Sequence, residues 1–197
     1  MFEIKTTPIL ILSTPRSGSS ALGKYIKTLC EKDIPYFLEP DYSGQQGVNN
    51  FRNEFYRSKD FILKCHLINL HKYGGSISTY LLQHAYKIRI RRNDVVKQIA
   101  SYYIANVRNK KWHFTNKEEL NLTDYIPINF NLLKSYIMFI KYSNKILDTT
   151  NINFDLDLYY EDLPDLDSTG FYITPPPKNY DELLDIIQKS YNGGLKG

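Results

Sequence analysis

Pro8-Ile9-Leu10-Ile11-Leu12-Ser13-Thr14-Pro15-Arg16-Ser17-Gly18-Ser19-Ser20 is the stretch on which the fold turns. Its first half is a short continuous apolar run, the pattern of a strand buried on both faces. The run breaks at Thr14, and Ala21, Leu22, Tyr25, Ile26 and Leu29 then recur at helical spacing, which predicts a helix to about Cys30. A loop between a buried strand and a helix presents unpaired backbone N–H groups at a helix N-terminus, where the dipole favours an anion. Gly18 lets the backbone turn tightly, Ser17, Ser19 and Ser20 add hydroxyl donors, and Arg16 adds a permanent positive charge. The plain alternative is an ordinary strand-to-helix loop with a serine cap.

Outward from this loop, strands and helices alternate. Ile34–Leu38, Phe61–Cys65, Tyr86–Arg91 and Phe154–Tyr160 read as further strands. Helices are expected from Asp94 to about Asn109 with Asn93 as N-cap, over 130–148 through Leu133, Ile137, Ile140 and Leu147, and from about Tyr180. Residues 41–58, polar and rich in Asn, Gln and Gly, read as a loop with a poor helix. Pro175-Pro176-Pro177 stops regular structure. The alternation predicts an α/β fold, a three-layer sandwich with a mainly parallel sheet and a P-loop-like phosphate-binding loop after its first strand. No internal repeat or Gly/Ser linker divides the chain, so residues 1–197 are expected to form a single domain. Ligands of such sheets bind outside the C-terminal ends of the strands. One feature fits a central strand poorly: Lys87, Arg89 and Arg91 alternate with Ile88 and Ile90 as a solvated face would.

The 197 residues are 42% hydrophobic and 23% charged, which excludes a disordered or low-complexity chain. Tyrosine outnumbers phenylalanine, 17 to 10, and supplies apolar bodies with polar tips for pocket walls. A net charge of +4 suits an anionic ligand but is too mild to argue for nucleic acid. Two cysteines, Cys30 and Cys65, cannot build a disulfide framework or a Cys-rich metal cluster, and no other metal-ligand cluster is visible. The apolar run Ile9–Leu12 is too short for a signal-peptide core or a membrane span. The expectation is a protein of a reducing cytoplasm without a membrane span.

Gly18-Ser19-Ser20-Ala21-Leu22-Gly23-Lys24 also fits G-x-x-x-x-G-K, the loop of nucleoside-triphosphate enzymes. The following residue should be Ser or Thr to hold magnesium and is Tyr25; four residues, Thr14 to Ser17, separate the strand from the first glycine. The match reads as accidental, and a P-loop nucleotide kinase stands as the alternative.

Thr-Pro-Arg-Ser-Gly-Ser-Ser at 14–20 resembles the 5′-phosphosulfate loop of sulfotransferases that use 3′-phosphoadenosine 5′-phosphosulfate (PAPS). Further segments follow in that family's order. Ile34-Pro35-Tyr36-Phe37-Leu38-Glu39 resembles a Val-Pro-Phe-Leu-Glu segment, and Leu63-Lys64-Cys65-His66-Leu67 resembles Lys-Thr-His-Leu. Ile90-Arg91-Arg92-Asn93 through Ser101-Tyr102-Tyr103 resembles the 3′-phosphate strand and helix, and Leu158-Tyr159-Tyr160-Glu161-Asp162-Leu163 resembles Tyr-Glu-Asp-Leu. The likeness spans about residues 8–163 and extends to cytosolic-type and bacterial sulfotransferases.

The resemblance implies roles. Pro15, Arg16, Ser17, Gly18, Ser19 and Ser20 would hold the 5′-phosphosulfate, with Arg16 balancing charge on the leaving phosphate. His66 would be the general base, with Glu39 its rival, since other branches use a carboxylate after the second strand. Lys64 would clamp the sulfuryl group, Arg92 and Ser101 would grip the 3′-phosphate, and Tyr160 would lie near the adenine. The Arg92–Ser101 spacing is one longer than usual, so Arg91 or Asn93 could share the grip. The family also departs here: Ala21 stands in place of an adenine-stacking Trp, and the C-terminal segment that folds over the nucleotide is absent, with Lys178 a weak substitute. Trp112-His113 could line the acceptor cleft. The implied activity is transfer of a sulfuryl group from PAPS, without a metal, to a hydroxyl or amine of a small-molecule or carbohydrate acceptor. A module that binds PAPS or its product without turnover is the remaining alternative.

Overall fold

In the computed structural model, residues 8–30, 33–108, 124–163 and 176–193 are described. Five strands form one all-parallel sheet: β1 (Ile9–Ser13), β2 (Tyr36–Leu38), β3 (Ile62–His66), β4 (Tyr86–Arg91) and β5 (Leu156–Tyr159). Their order is β2-β3-β1-β4-β5, so β1 is central and the chain leaves it toward β2 and β3 before returning to β4 on its other side. That reversal opens a crevice at the C-terminal end of β1, the usual ligand position in open α/β sheets. The residues of β1 are buried throughout, as their unbroken apolar run requires.

Helix α1 (Ser19–Leu29) covers one face of the sheet, where Leu22 and Ile26 pack on Ile9, Ile11, Ile88 and Ile90. On the other face α2 (Gly44–Arg57), α3 (Gly75–His84) and Leu147 of α5 (Phe130–Thr149) meet Leu10, Leu12 and Leu63. Helices on both faces make this a three-layer α/β sandwich. A separate apolar cluster joins α4 (Val95–Val107), α5 and α6 (Tyr180–Tyr191) through Ile99, Tyr103, Ile137, Ile140, Leu183 and Ile187.

Residues 41–58 depart from the expected loop. Pro40–Ser43 is a short 3₁₀ helix and Gly44–Arg57 a full α-helix. Val48, Phe51 and Phe55, three and four residues apart, form a stripe that packs on Phe61 and Tyr73. Burial of two phenylalanines, about 1.5–3 kcal/mol each, outweighs the weak helix propensity of the Gly and Asn around them. Helix α3 and the 3₁₀ turn Leu67–Tyr73 were likewise not expected. The N-cap of α4 is Asp94 rather than Asn93: its carboxylate accepts from the Lys97 N–H at 2.9 Å.

Lys87, Arg89 and Arg91 find partners on the neighbouring strand instead of a solvated face. Arg89 and Arg91 both bind Asp157 of β5, Arg91 at 2.7 Å, and Lys87 pairs with Asp155 at 3.4 Å. The guanidinium of Arg89 also stacks on Phe154 and that of Arg91 on Tyr159. The charges are therefore covered by an edge strand that alternates in the same way.

Candidate functional site

Sheet register brings the singled-out residues to one edge. Ser13, the last residue of β1, lies opposite His66 of β3 and Ile90 of β4; Leu38 lies opposite Lys64, and Arg91 opposite Tyr159. Glu39, the 14–18 loop, Arg92 and Tyr160 each follow directly from a strand end. They form one row across the crevice.

The loop is held in a turn that needs its glycine. Gly18 has φ 77°, and a Cβ there would lie 2.1 Å from Cδ2 of Tyr160. Arg16, at φ 60°, is a non-glycine residue in the left-handed region. Its guanidinium Nε donates to Ser101 Oγ at 2.8 Å. Burial, and then the charge of Arg92, pull the Arg16 guanidinium down to about 10. An anion placed beside it would relieve both effects. Ser17 is fully buried and its hydroxyl donates to the Thr14 carbonyl, so it shapes the loop from within.

On the β3 side, Glu39, Lys64 and His66 meet at one oxygen. Glu39 Oε1 lies 2.8 Å from His66 Nε2 and contacts the Lys64 ammonium. Glu39 has φ 45°, and its N–H donates to the Lys64 carbonyl at 2.8 Å. Of the three non-glycine residues with positive φ among the described residues, two, Arg16 and Glu39, belong to this row, which is where stored backbone strain is expected. The side chains of Lys64 and His66 are 3% and 5% exposed, that of Glu39 19%. One carboxylate balances one cation, not two. Burial, and next the Lys64 charge, hold His66 well below the usual imidazole range, so the ring is neutral. Burial also lowers Lys64, to about 7. A neutral His66 donates Nε2–H to Glu39 and turns Nδ1 toward the Tyr42 hydroxyl, 3.5 Å away.

On the β4 side, Arg92 stacks over Tyr160, 4.9 Å to the ring centroid, and donates to the Arg16 carbonyl at 3.3 Å. Ser101 is engaged by Arg16, which ties the expected 3′-phosphate helix to the 5′ loop. Lys24 lies in the second turn of α1, beyond the loop itself. Lys178 stacks its ammonium over Tyr125, 5.6 Å away. Trp112-His113 lie outside the described residues.

Four residues of the site, Gln98, Asn144, Glu161 and Tyr42, were given no role by the sequence reading. Gln98 of α4 is fully buried and donates to Thr14 Oγ1 at 2.9 Å and to the Pro15 carbonyl at 2.6 Å. Asn144 of α5 donates in turn to Gln98 Oε1 at 3.1 Å. Glu161 accepts the N–H groups of Asn93 and Asp94 at 3.1 and 3.2 Å, fixing Tyr160 beside Gly18. A glutamine on the buried face of a predicted helix is a sequence cue for such a clamp. Tyr42, in a segment read as loop, offered none.

Among the described residues no group of three or more His, Cys, Asp or Glu could hold a metal ion, and no helix is long and apolar enough to cross a membrane. No protein-family model matches the chain, and no curated protein matches it.

Proposed function

We propose that this chain is a sulfotransferase that moves a sulfuryl group from PAPS to a hydroxyl or amine acceptor. The observation that carries the reading is the row at the strand ends: Arg16 in a glycine-turned loop at the centre, Glu39–Lys64–His66 on one side, Arg92 and Tyr160 on the other. Such a site separates donor binding from acceptor activation. The 5′-phosphosulfate lies on the 15–20 loop, with Arg16 against the leaving phosphate. Arg92 takes the 3′-phosphate and Tyr160 borders the adenine.

In the transfer, the acceptor oxygen or nitrogen forms a bond to sulfur as the bridging S–O bond breaks. The electron pair of that bond leaves on the 5′-phosphate, where Arg16 and Lys64 balance the growing charge. The acceptor's proton passes to the Glu39–His66 pair. The products are the sulfated acceptor and 3′-phosphoadenosine 5′-phosphate (PAP). As in phosphoryl transfer, in-line positioning and charge balance do most of the work.

The test is thermal stabilisation by PAP against ATP plus magnesium. A ligand at a hundred times its Kd stabilises by about 2.7 kcal/mol, which a melting curve resolves. Stabilisation by ATP–magnesium alone would favour the kinase reading. Stabilisation by PAP with no transfer from labelled PAPS to any sugar, phenol, lipid or amine would favour a module without turnover.

A further inference from the structure

Arg91, the last residue of β4, and Arg92, which follows it, each stack on one of two consecutive tyrosines at the end of β5. Arg92 stacks on Tyr160; Arg91 stacks on Tyr159, 4.6 Å to the centroid, and reaches Asp148 of α5 at 3.4 Å. Beside both arginines a cavity of about 480 Å³ opens between the end of β4, the start of α4, the C-terminal half of α5 and Tyr191 of α6. We propose that this cavity is a second anion site, for a small molecule bearing a phosphate or sulfate monoester.

The charge around the cavity is not balanced. Arg91, Arg92, Lys141 and Lys145 line it, against the single carboxylate of Asp148. The principal acid partner of Arg91, Asp157, is shared with Arg89, so one carboxylate serves two guanidinium groups. Asp148 is half-exposed and holds Arg91 only at 3.4 Å, a contact that an oxyanion can replace. The Nε of Arg91 is buried with no hydrogen-bond partner, so the fork is incompletely satisfied. Lys145 is exposed at the rim and has no ion-pair partner among the described residues. Lys141, stacked on Tyr191 at 3.9 Å, closes the far side. The terminal oxygens of such an ester, dianionic for phosphate and monoanionic for sulfate, accept from several such donors at once, and the volume leaves room for a small polar body beyond them. The cavity borders the proposed nucleotide site through Arg92, which lines both, and its other basic groups, Arg91, Lys141 and Lys145, have no part in the proposed transfer.

Crystals of the full chain soaked in tungstate, a phosphate analogue with a strong anomalous signal, should show a peak in the cavity near Arg91 and Lys145. In solution, inorganic phosphate is titrated in an Arg16→Ala background, which silences the 15–20 loop. Lys145→Glu, an exposed change that leaves the core untouched, should then raise the phosphate Kd by about tenfold or more and abolish the cavity peak. A peak confined to the 15–20 loop, or a Kd unmoved by Lys145→Glu, overturns the proposal. So does displacement of the cavity anion by PAP, which would make the cavity part of the nucleotide site.

Discussion

His66 Nε2 lies 2.8 Å from Glu39 Oε1, so the two candidate proton acceptors of this site are joined by a hydrogen bond. They do not act as alternatives at separate places. Lys64 contacts the same oxygen, and among the described residues Oε2 of Glu39 has no partner. Glu39 is also the most open of the three. In the proposed transfer, a proton arriving from an acceptor would meet Glu39 first, with His66 and Lys64 holding the carboxylate in place.

Two residues that act as one unit lose activity non-additively. Glu39→Gln and His66→Ala are each expected to lower kcat by about 10²–10⁴-fold with PAP affinity kept. The double variant should be no worse than the more damaged single. Steady-state kinetics with labelled PAPS measures all three. A double loss equal to the product of the single losses would show that the two side chains work separately.

His66 also sets a pH dependence of stability. Its folded pKa lies well below the ordinary value because of burial and then the Lys64 charge. As pH falls below about 6.5 the unfolded chain takes up a proton that the folded ring refuses, so stability present above that pH is lost on acidification. Urea midpoints from pH 8 to pH 5 should fall for the wild type and fall less steeply for His66→Gln. Parallel slopes would show that His66 titrates normally in the folded protein.

Much of this site was legible as type and order of residues, because a parallel sheet turns sequence order into spatial order at its strand ends. Ile9–Leu12 followed by Arg16 and Gly18 already indicated a buried strand feeding a tight, cationic turn, and the positions of Glu39, His66 and Arg92 at or just after strand ends followed from the same alternation. The contacts that depend on register were not legible. Nothing local shows that Leu38 pairs with Lys64, and that pairing is what brings Glu39 to His66. Helix α2 was hidden because its stripe of Val48, Phe51 and Phe55 is set among residues that favour turns. The basic alternation of β4 made sense only once Asp155 and Asp157 stood beside it.

Gln98 is expected to support the loop. Gln98→Leu keeps the volume but removes the donor to Thr14 Oγ1 and the Pro15 carbonyl, and leaves Asn144 without its acceptor. Leaving buried polar groups unsatisfied costs about 1–3 kcal/mol each, so chemical denaturation should show a loss of that order. PAP affinity should drop as well. A variant of unchanged stability and affinity would mean that the loop is held by other contacts.

Gly18→Ala tests the close approach of the loop to Tyr160. The φ of 77° strains any residue with a Cβ, and the added methyl would lie 2.1 Å from the Tyr160 ring. The expected destabilisation is about 1–3 kcal/mol by denaturant titration, with PAP binding weakened because Tyr160 must swing away. Gly18→Ala combined with Tyr160→Ala should recover the part due to the clash and keep the part due to φ. No recovery in the pair would place the whole cost in the backbone.

Arg92 separates a nucleotide grip from a structural role. Its guanidinium lies over Tyr160, close to the Arg16 carbonyl, with Glu161 3.9 Å from Nε, too far for a strong ion pair. That leaves charge available for a ligand. Arg92→Ala should weaken PAPS binding by an amount on the order of 1.5–3 kcal/mol, the worth of a charge-assisted bond. Binding of adenosine 5′-phosphosulfate, which lacks the 3′-phosphate, should change little. Arg92→Lys keeps the charge but loses the planar fork and the stacking on Tyr160, so it should fall between the wild type and Arg92→Ala for PAPS alone. Isothermal titration of both nucleotides against the three proteins gives the comparison. Equal losses for the two ligands would mean that Arg92 acts by holding Tyr160 and the loop, and that the 3′-phosphate is bound elsewhere.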